Sequence, residues 1–194
     1  MTPHGVATRW VSQSLAPLVL ALCLPVLAQD TPRLQGTVIR VIDGNTIEVE
    51  LKNGPIRVQL SGIDAPESDQ PVGTEATLTL AKLIDGKVVL LEVSEQKDSY
   101  DRMIAEVHLG DRNINLEMVA LGYAWADRPN MKRSTSELCS LEFAARKAHI
   151  GLWSRPVSDW IAPWEWRKLE KRSHPSDYSH ETAGACAAAI GKHE

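Results

Sequence analysis

The sequence is poor in the residues that define specialised classes of protein. Of its 194 residues, 3 are cysteine, 11 are proline and 12 are glycine, and aromatic side chains make up 5%. These values exclude a small disulfide-stapled scaffold and a collagen-like chain. A hydrophobic fraction of 43% also excludes a wholly disordered chain, because such chains lack the apolar surface to form a core. The length fits one domain with a modest tail.

The chain has no excess of positive charge. Lys and Arg number 21 and Asp and Glu number 25, which gives a formal net charge of −4. Bulk charge therefore does not indicate a nucleic-acid-binding protein. The charges are unevenly placed, since residues 29–127 carry 9 basic and 17 acidic side chains and residues 128–172 carry 10 basic and 5 acidic ones. The basic block predicts either a solvated helix face with interleaved charges or a track for nucleic acid.

Long hydrophobic runs are also missing. The apolar stretch near the N terminus, residues 15–27, contains two prolines and is shorter than the about 20 residues that a membrane-spanning helix needs. Arg9 precedes this stretch, and the stretch leads into the sequence V-L-A, which ends at Ala28. This pattern is typical of a secretory signal peptide. We therefore expect residues 1–28 to be removed, the protein to be exported to the periplasm or secreted, and no stable membrane insertion to remain.

Alternation of β-branched and polar residues predicts a β-rich domain within residues 29–155. Five strands are expected, at residues 37–42, 46–51, 56–60, 87–93 and 103–109. Helical spacing of apolar residues predicts three helices, at residues 74–84, 114–121 and 136–149. A meander of three antiparallel strands, an inserted helix and two further strands favour a closed barrel in an α+β domain.

The C-terminal part is rich in tryptophan. Four of the six tryptophans stand at positions 153, 160, 164 and 166. They predict an aromatic arm, residues 156–172, strapped over the core, or else a platform on which bases stack. From residue 173 the composition turns to Ser, His, Ala and Gly without periodicity, which predicts a disordered tail over residues 173–194. Cys139 and Cys186 either pair in an oxidising compartment or stay as separate thiols.

Three short motifs carry side chains suited to chemistry. The sequence G-I-D-A-P-E places the carboxylates of Asp64 and Glu67 in a loop at the barrel rim, where they suit a hard divalent cation and the activation of water. The turn D-G-N-T, beginning at Asp43, can add an oxygen ligand, and Arg102 in D-S-Y-D-R can bind an anionic oxygen. Taken singly, the motifs have plain structural alternatives: a solvated loop, a hairpin turn and a surface ion pair.

Taken in order along residues 34–155, the motifs D-G-N-T, G-I-D-A-P-E, G-T-E-A, D-S-Y-D-R, L-G-Y-A-W and A-A-R to G-L-W resemble the staphylococcal (micrococcal) nuclease or thermonuclease family. The sequence P-W-E-W-R at residues 163–167 looks like the C-terminal arm of its secreted bacterial members. The resemblance implies a five-stranded OB-fold β-barrel with three α-helices. It also implies calcium-dependent hydrolysis of DNA and RNA phosphodiesters. We therefore expect a DNA or RNA substrate, and we expect a monomer.

The resemblance assigns roles to five positions. Asp64 matches a direct calcium ligand, and Ala65 stands where a residue offers its backbone carbonyl. Glu67 matches the carboxylate that orients or deprotonates the attacking water. Arg102 matches an arginine that clamps the phosphate as charge builds, and Asp43 matches the first Asp of a D-G-D-T turn close to the metal.

Two positions depart from the family pattern. Asn45 stands where the family has a second Asp that binds calcium, so the site loses a negative charge and metal affinity should fall. Gln59 stands where the family has a second phosphate-clamping arginine, and a neutral amide cannot neutralise a phosphate. Arg57 lies on the same strand face, about 6.6 to 6.8 Å away, and could replace that arginine in part. Another divalent ion could also replace calcium.

The sequence therefore supports three hypotheses. The leading one is an exported metal-dependent nuclease, a hydrolase of the endonuclease type, whose activity is impaired by Asn45 and Gln59. An alternative is a non-catalytic OB-fold module that binds nucleic acid. A further alternative is a protein-interaction domain of the cell envelope that uses the tryptophan-rich arm and the tail.

Overall fold

The computed structural model describes residues 1, 32–95, 98, 100–130, 136–168, 176 and 178–190. Apart from Met1, the predicted signal peptide lies outside these ranges, so its presence and its cleavage after Ala28 stay predictions. The strands and helices reported below all belong to the unit Thr31–Glu194.

A ring of five strands forms the body of the protein. In chain order the described strands are β1 (Arg33–Val41), β2 (Thr46–Leu51), β3 (Gly54–Leu60), β4 (Ile63–Asp64), β5 (Val88–Glu95), β6 (Met103–Leu109), β7 (Arg112–Asn113) and β8 (Trp125–Ala126). β1 pairs with β2 and with β5, β2 with β3, and β5 with β6, all antiparallel. β3 pairs with β6 in parallel and closes the ring. The predicted five-stranded OB-fold barrel of an α+β domain is confirmed.

The barrel interior is filled by the apolar side chains of these strands. Val38, Val49 and Val58 are fully buried, whereas the adjacent Glu50 and Arg57 are exposed. The same core includes Ile47, Leu60, Ile63, Val89, Leu91, Ala105 and Val107. Because one face of each strand is buried, a slip of one residue would expose the core, so the strand register is strongly fixed. The loops at the barrel ends are therefore held in defined positions.

The three predicted helices are present, and two further short helices, described below, follow them in the described part of the chain. The three are α1 (Gly73–Ile84), α2 (Ile114–Ala120) and α3 (Ser136–Lys147). α1 buries Ala76 and Leu80 at helical spacing. The buried amide of Asn115 fixes α2 to the barrel, since it accepts the N–H of Val107 at 2.9 Å and donates to Ser61 O at 2.9 Å. No helix within the described ranges is long and apolar enough to cross a bilayer.

A short antiparallel pair, β4 with β8, lies outside the ring. Asp64 of β4 stands opposite Trp125 of β8. The N–H of Asp127 extends the contact by donating to Gly62 O at 3.0 Å. This pair brings the segment that follows β3 next to the tryptophan-rich part of the chain.

In the described residues, the tryptophan-rich segment packs its rings against Trp125, and the predicted bounds of the arm, residues 156–172, stay a prediction. It contains 3-10 turns at Gly151–Ser154 and Val157–Asp159 and a helix α4 (Pro163–Trp166). Trp153, Trp160 and Trp164 are buried in one cluster with Trp125. The ring centroids of Trp125 and Trp153 lie 4.6 Å apart in an edge contact. These four rings are buried, so they do not form an open platform on which bases could stack.

The prediction of a disordered tail is wrong for residues 178–190. They include a helix, α5 (Ala183–Ala189), whose Cys186 is 2% exposed. Cys186 forms a disulfide with Cys139 of α3, with 5.7 Å between the two Cα atoms. The composition indicated disorder because apolar residues do not recur at regular spacing in this segment. A disulfide can order such a segment, because it restricts the unfolded chain. The two cysteines therefore pair, which the sequence had left open.

Candidate active site

The carboxylate loop, residues 64–70, carries the two predicted acidic side chains. Asp64 is 5% exposed, whereas the side chain of Glu67 is 37% exposed. Gln70 clamps the loop, since its Oε1 accepts the N–H of Glu67 at 3.1 Å and its Nε2 donates to Ile161 O of the arm at 2.6 Å. A Cβ atom at Gly73 would lie 1.8 Å from Glu67 O, so α1 can begin here only with glycine. The loop is held both by the arm and by the start of α1.

The D-G-N-T turn between β1 and β2 packs directly on this loop. The N–H of Asn45 donates to Asp43 Oδ1 at 2.9 Å, which closes the turn. A Cβ atom at Gly44 would come within 2.6 Å of Ala65 Cβ, so glycine permits the close approach. The buried amide of Asn45 donates from Nδ2 to Ile63 O at 3.1 Å. The structure thus packs the turn that carries Asn45 against Ile63 and Ala65, the residues on either side of Asp64, and the metal-binding roles of these residues stay a prediction.

Gln59 also lies beside this turn. It stands opposite Thr46 in the β2–β3 ladder, and Thr46 Oγ1 donates to Gln59 Oε1 at 3.2 Å. Arg57, two residues earlier, stands opposite Glu48 and is exposed. In the described part of the chain, neither Gln59 nor Arg57 has a contact with the carboxylate loop. The partial replacement of the missing arginine by Arg57 therefore stays a prediction.

Arg102 is engaged in an ion pair at the start of β6. Its Nε and Nη2 donate to Asp98 Oδ2 at 2.9 and 2.8 Å, and its guanidinium lies 5.1 Å from the ring centre of Tyr100. Burial pushes the pKa of Asp98 upward, but hydrogen bonds from Arg102 and from the Tyr100 N–H hold it below its ordinary value. Among the described contacts, none joins Arg102 to the carboxylate loop, so its role at the phosphate stays a prediction.

Arg167, which the sequence interpretation did not select, forms hydrogen bonds with the carboxylate loop. Its Nη2 donates to Asp64 Oδ2 at 2.7 Å, and its Nη1 donates to Asp64 Oδ1 at 3.2 Å and to Glu67 Oε1 at 2.6 Å. The adjacent Trp166 donates from Nε1 to Asp69 Oδ1 at 3.1 Å. The end of the arm therefore docks on the loop through both residues.

Negative charge is concentrated under this arginine. Burial raises the pKa of Asp64 to about 7, although the guanidinium of Arg167 opposes that shift. Repulsion from Asp127 and Glu67 adds to the increase. Burial likewise raises the pKa of Asp127, whose oxygens accept bonds from Asn130 Nδ2 at 3.0 and 3.2 Å. A group of buried and crowded carboxylates is stabilised by a cation, and Arg167 provides one.

The donor atoms at this site fit a hard divalent cation. Asp64 offers carboxylate oxygens, Ala65 a backbone carbonyl, and Asn45 an amide oxygen. Because the Asn45 nitrogen is directed to Ile63 O, its oxygen is the end left for a ligand. Calcium prefers such oxygen donors, and the buried negative charge favours any divalent ion.

A second group of possible metal ligands lies on neighbouring strands of the barrel. The ligand atoms of Glu92, Glu106 and His108 fall within 4.8 Å of one another. Arg33 Nη2 lies 2.9 Å from Glu92, and Asn113 Nδ2 donates to Glu106 at 2.9 Å. Glu92 is therefore already paired with a cation, and Glu106 already accepts a hydrogen bond from a neutral amide.

Three residues of the site were missed by the sequence interpretation, namely Gln70, Asp127 and Arg167. Gln70 acts through a hydrogen bond with the loop, and Asp127 through electrostatic repulsion of Asp64. No local sequence motif indicates either interaction. Arg167 had a signal, because it ends the P-W-E-W-R sequence that marked the arm. Its place on the carboxylates depends on how the arm docks, which the motif does not give.

Comparison with known proteins agrees with this architecture. The family model described as "Staphylococcal nuclease homologue" matches residues 57–155. Protein ParB of Escherichia coli is 37% identical over 168 residues, which cover 80% of this chain and 93% of that protein. The micrococcal nuclease of Shigella flexneri is 36% identical over 168 residues, covering 81% and 92%. An uncharacterized endonuclease of Escherichia coli O157:H7 is 39% identical over 153 residues, covering 78% and 95%. The chain therefore belongs to the staphylococcal nuclease family.

Proposed function

We propose that this protein is an exported, metal-dependent nuclease that hydrolyses phosphodiester bonds of DNA or RNA. The observation that carries the proposal is the convergence of Asn45, Asp64 and Glu67 at one rim of an OB-fold barrel, in a chain of the staphylococcal nuclease family. Relatives named as a micrococcal nuclease and an endonuclease support the same reaction class.

Asp64, Asn45 and the carbonyl of Ala65 would hold the metal ion, with Asp43 close by in the turn, and the ion would share the Asp64 carboxylate with the hydrogen bonds from Arg167. A bound divalent ion offsets the negative charge of the phosphate in this site. Calcium is the ion we expect, because all of these donors are oxygen atoms. Asn45 contributes no charge, so we expect weaker binding than a second Asp would give.

Glu67 is the group that prepares the attacking water. Its side chain is more exposed than that of Asp64, so water and substrate can reach it. Its carboxylate can accept a proton from water as the oxygen attacks phosphorus. The hydrogen bond between the Glu67 N–H and Gln70 holds the backbone of this residue in place.

Phosphate recognition falls to arginines of the barrel in this proposal. Arg102 would leave Asp98 in part or bind phosphate through its remaining donors, and Arg57 would assist from β3. Gln59 brings no charge, and loss of one preorganised electrostatic contact typically costs about 10² to 10³ in rate. We therefore propose an activity lower than that of a family member with both arginines.

The disulfide supports the proposal of export. Cys139 and Cys186 join α3 to α5, and such bonds persist in oxidising compartments such as the periplasm. Cell fractionation of the native host would test this point. Recovery of the protein in the cytosol with both thiols reduced would contradict it.

Cleavage of single-stranded DNA with calcium tests the reaction itself. The purified protein should release fragments, and Glu67→Gln should reduce the rate by about 10² to 10⁴, the usual contribution of a general base. Glu75→Gln, a change at an exposed residue of α1, is the matched control and should leave the rate unchanged. If the unmodified protein cleaves no faster than Glu67→Gln, the proposed reaction is wrong.

A non-catalytic nucleic-acid-binding module is the second candidate. It is favoured by the two departures from the family pattern, because the Asn45 and Gln59 amides are neutral and are held by hydrogen bonds to Ile63 O and to the Thr46 hydroxyl. Salt-dependent binding of DNA without hydrolysis would support it. Absence of binding at low salt would exclude it.

A further inference from the structure

Arg167 has binding capacity beyond its contacts with the carboxylate loop. Its bonds to Asp64 and Glu67 use three of the five N–H groups of a guanidinium. The side chain is 45% exposed, so one side of the group faces solvent. As far as the described residues go, an anion approaching the loop from solvent therefore meets a guanidinium with two N–H groups that they do not use.

The arm fixes this guanidinium in position. Trp164 is buried in edge contacts with Trp125 and Tyr178, at centroid distances of 5.9 and 6.2 Å. Gln70 ties the carboxylate loop to Ile161 of the same arm. A donor held in place before the substrate arrives loses little freedom on binding, and this makes it effective.

Charge at the site makes a positive group necessary. Asp64, Glu67 and Asp127 are acidic, and position 59 carries a neutral glutamine. A phosphodiester adds a further negative charge. Arg102 is paired with Asp98, so of these two arginines it is Arg167 that the described structure places on the carboxylate loop.

We propose that Arg167 binds the substrate phosphate beside Glu67 and supplies from the arm the positive charge that Gln59 does not provide. The inference rests on the proposed function, because it assumes a nucleic-acid substrate. Arginine suits the role, since its planar fork can bind a carboxylate on one edge and a phosphate oxygen on another.

Oligonucleotide binding at several salt concentrations tests the inference. The probe is a fluorescently labelled single-stranded phosphorothioate oligonucleotide, which resists hydrolysis, with calcium present and anisotropy as the signal. Arg167→Gln should bind about tenfold more weakly at low salt, as loss of a charge-assisted hydrogen bond gives. The slope of log K against log salt should also shrink by about 0.7, the value for one phosphate contact on a single strand.

Two further variants separate phosphate binding from a structural role. Arg167→Lys keeps the charge and should keep the slope, although its affinity should fall because the fork is lost. Arg155→Gln is the matched control, since Arg155 is an exposed arginine directly before the arm, paired with Asp159 at 3.3 Å, and it should change neither quantity. Circular dichroism and the melting temperature report whether each variant is folded.

The outcomes are decisive. If folded Arg167→Gln keeps the slope of the unmodified protein, Arg167 serves only to neutralise Asp64 and Glu67, and the inference is wrong. If Arg167→Gln does not fold, weaker oligonucleotide binding by folded Arg167→Lys supports the inference, and binding equal to that of the unmodified protein overturns it. If the unmodified protein binds no oligonucleotide at low salt, both the inference and the proposed function fail. If the unmodified protein cleaves DNA but Arg167→Gln leaves the salt slope unchanged, the inference about Arg167 is wrong and the proposed function stands.

Discussion

The barrel and the C-terminal region, defined as β8 with the following residues to Arg128, α3, the arm and the tail, are stabilised in different ways. The barrel core consists of aliphatic side chains from paired strands. The C-terminal region depends on indole rings, buried ion pairs and a disulfide. Stability in the barrel is thus spread over many similar contacts, and in the C-terminal region it depends on a few groups that are not interchangeable.

Glu142 is the centre of the buried charges in the C-terminal region. It is 0% exposed, pairs with Arg128 at 2.8 Å and with Arg146, and accepts the N–H of Ala126 at 2.8 Å. Glu181 of the tail binds the same two arginines. The basic block was expected to be a solvated face or a nucleic-acid track, and for these two buried arginines neither description holds.

The candidate active site draws on both regions. The barrel side provides the carboxylates of Asp64 and Glu67, and the arm provides the guanidinium of Arg167. A substitution in the barrel should therefore affect the carboxylates of the site, and a substitution in the C-terminal region should affect the docking of the arm on them.

The largest effect on stability is expected from Glu142→Gln. Removing one partner from a buried ion pair leaves the other charges uncompensated and should lower the free energy of unfolding by about 3–5 kcal/mol. Urea unfolding measures the loss. Glu137→Gln, at an exposed position of the same helix, should change it by less than about 0.5 kcal/mol. Equal effects of the two changes would mean that the C-terminal region does not depend on its buried charges.

The double change Asn45→Asp with Gln59→Arg should raise the rate of calcium-dependent cleavage. Asp adds a charged metal ligand and Arg adds a phosphate contact, so we expect a gain of about 10² to 10³, the usual value of one such electrostatic contact. With calcium removed by a chelator, the double variant should be less stable than the unmodified protein, because an Asp carboxylate at position 45 cannot donate a hydrogen bond to Ile63 O. Cleavage rates and melting temperatures with and without calcium check both expectations. An unchanged rate would show that the barrel residues do not limit activity.

Loss of the disulfide should destabilise the C-terminal region selectively. Cys139→Ser with Cys186→Ser should lower the free energy of unfolding by about 2–4 kcal/mol. Hydrogen exchange should show faster exchange in α5 while the amides of the barrel strands stay protected. A reductant should have the same effect on the unmodified protein and none on the double variant. Equal loss of protection in the barrel would contradict the separation of the two regions.

The smallest effect is expected from Asp98→Asn. Because the pKa of Asp98 is lowered in the folded protein, its ionised form stabilises the fold at pH above the ordinary value of 3.8, and this contribution disappears as the pH falls through the folded pKa. At pH 7 the variant should lose about 0.2–1 kcal/mol, as is usual for a partly exposed ion pair. Urea unfolding of both proteins at pH 7 and pH 3 should show the difference shrinking at pH 3. A difference of equal size at both values would exclude an ionic cause.

The barrel was predictable because its signals are local. Alternation of apolar residues located the strands, and the motif G-I-D-A-P-E located Asp64 and Glu67. The D-G-N-T turn indicated an oxygen ligand at the same rim, and the structure packs this turn on Ala65. Each of these features lies within a few residues of the pattern that reveals it.

The C-terminal region was less predictable because its signals are long-range. Glu142 and Arg146 look like an exposed pair on a polar helix, and only the tail shows that they are buried. Cys186 pairs across 47 residues, and Arg167 reaches Asp64 across 103 residues. The spacing of residues within a segment does not predict these contacts, because they depend on how the arm and the tail pack on the rest of the protein.

The separation of 103 residues between Asp64 and Arg167 also sets an order of assembly. A chain synthesised from its N terminus completes all five strands of the ring before the arm exists. Contacts between residues so distant in sequence form late, because the intervening chain has to be ordered first. We therefore expect the carboxylates of Asp64 and Glu67 to lack the guanidinium of Arg167 until the arm docks, and to attract other cations before that point.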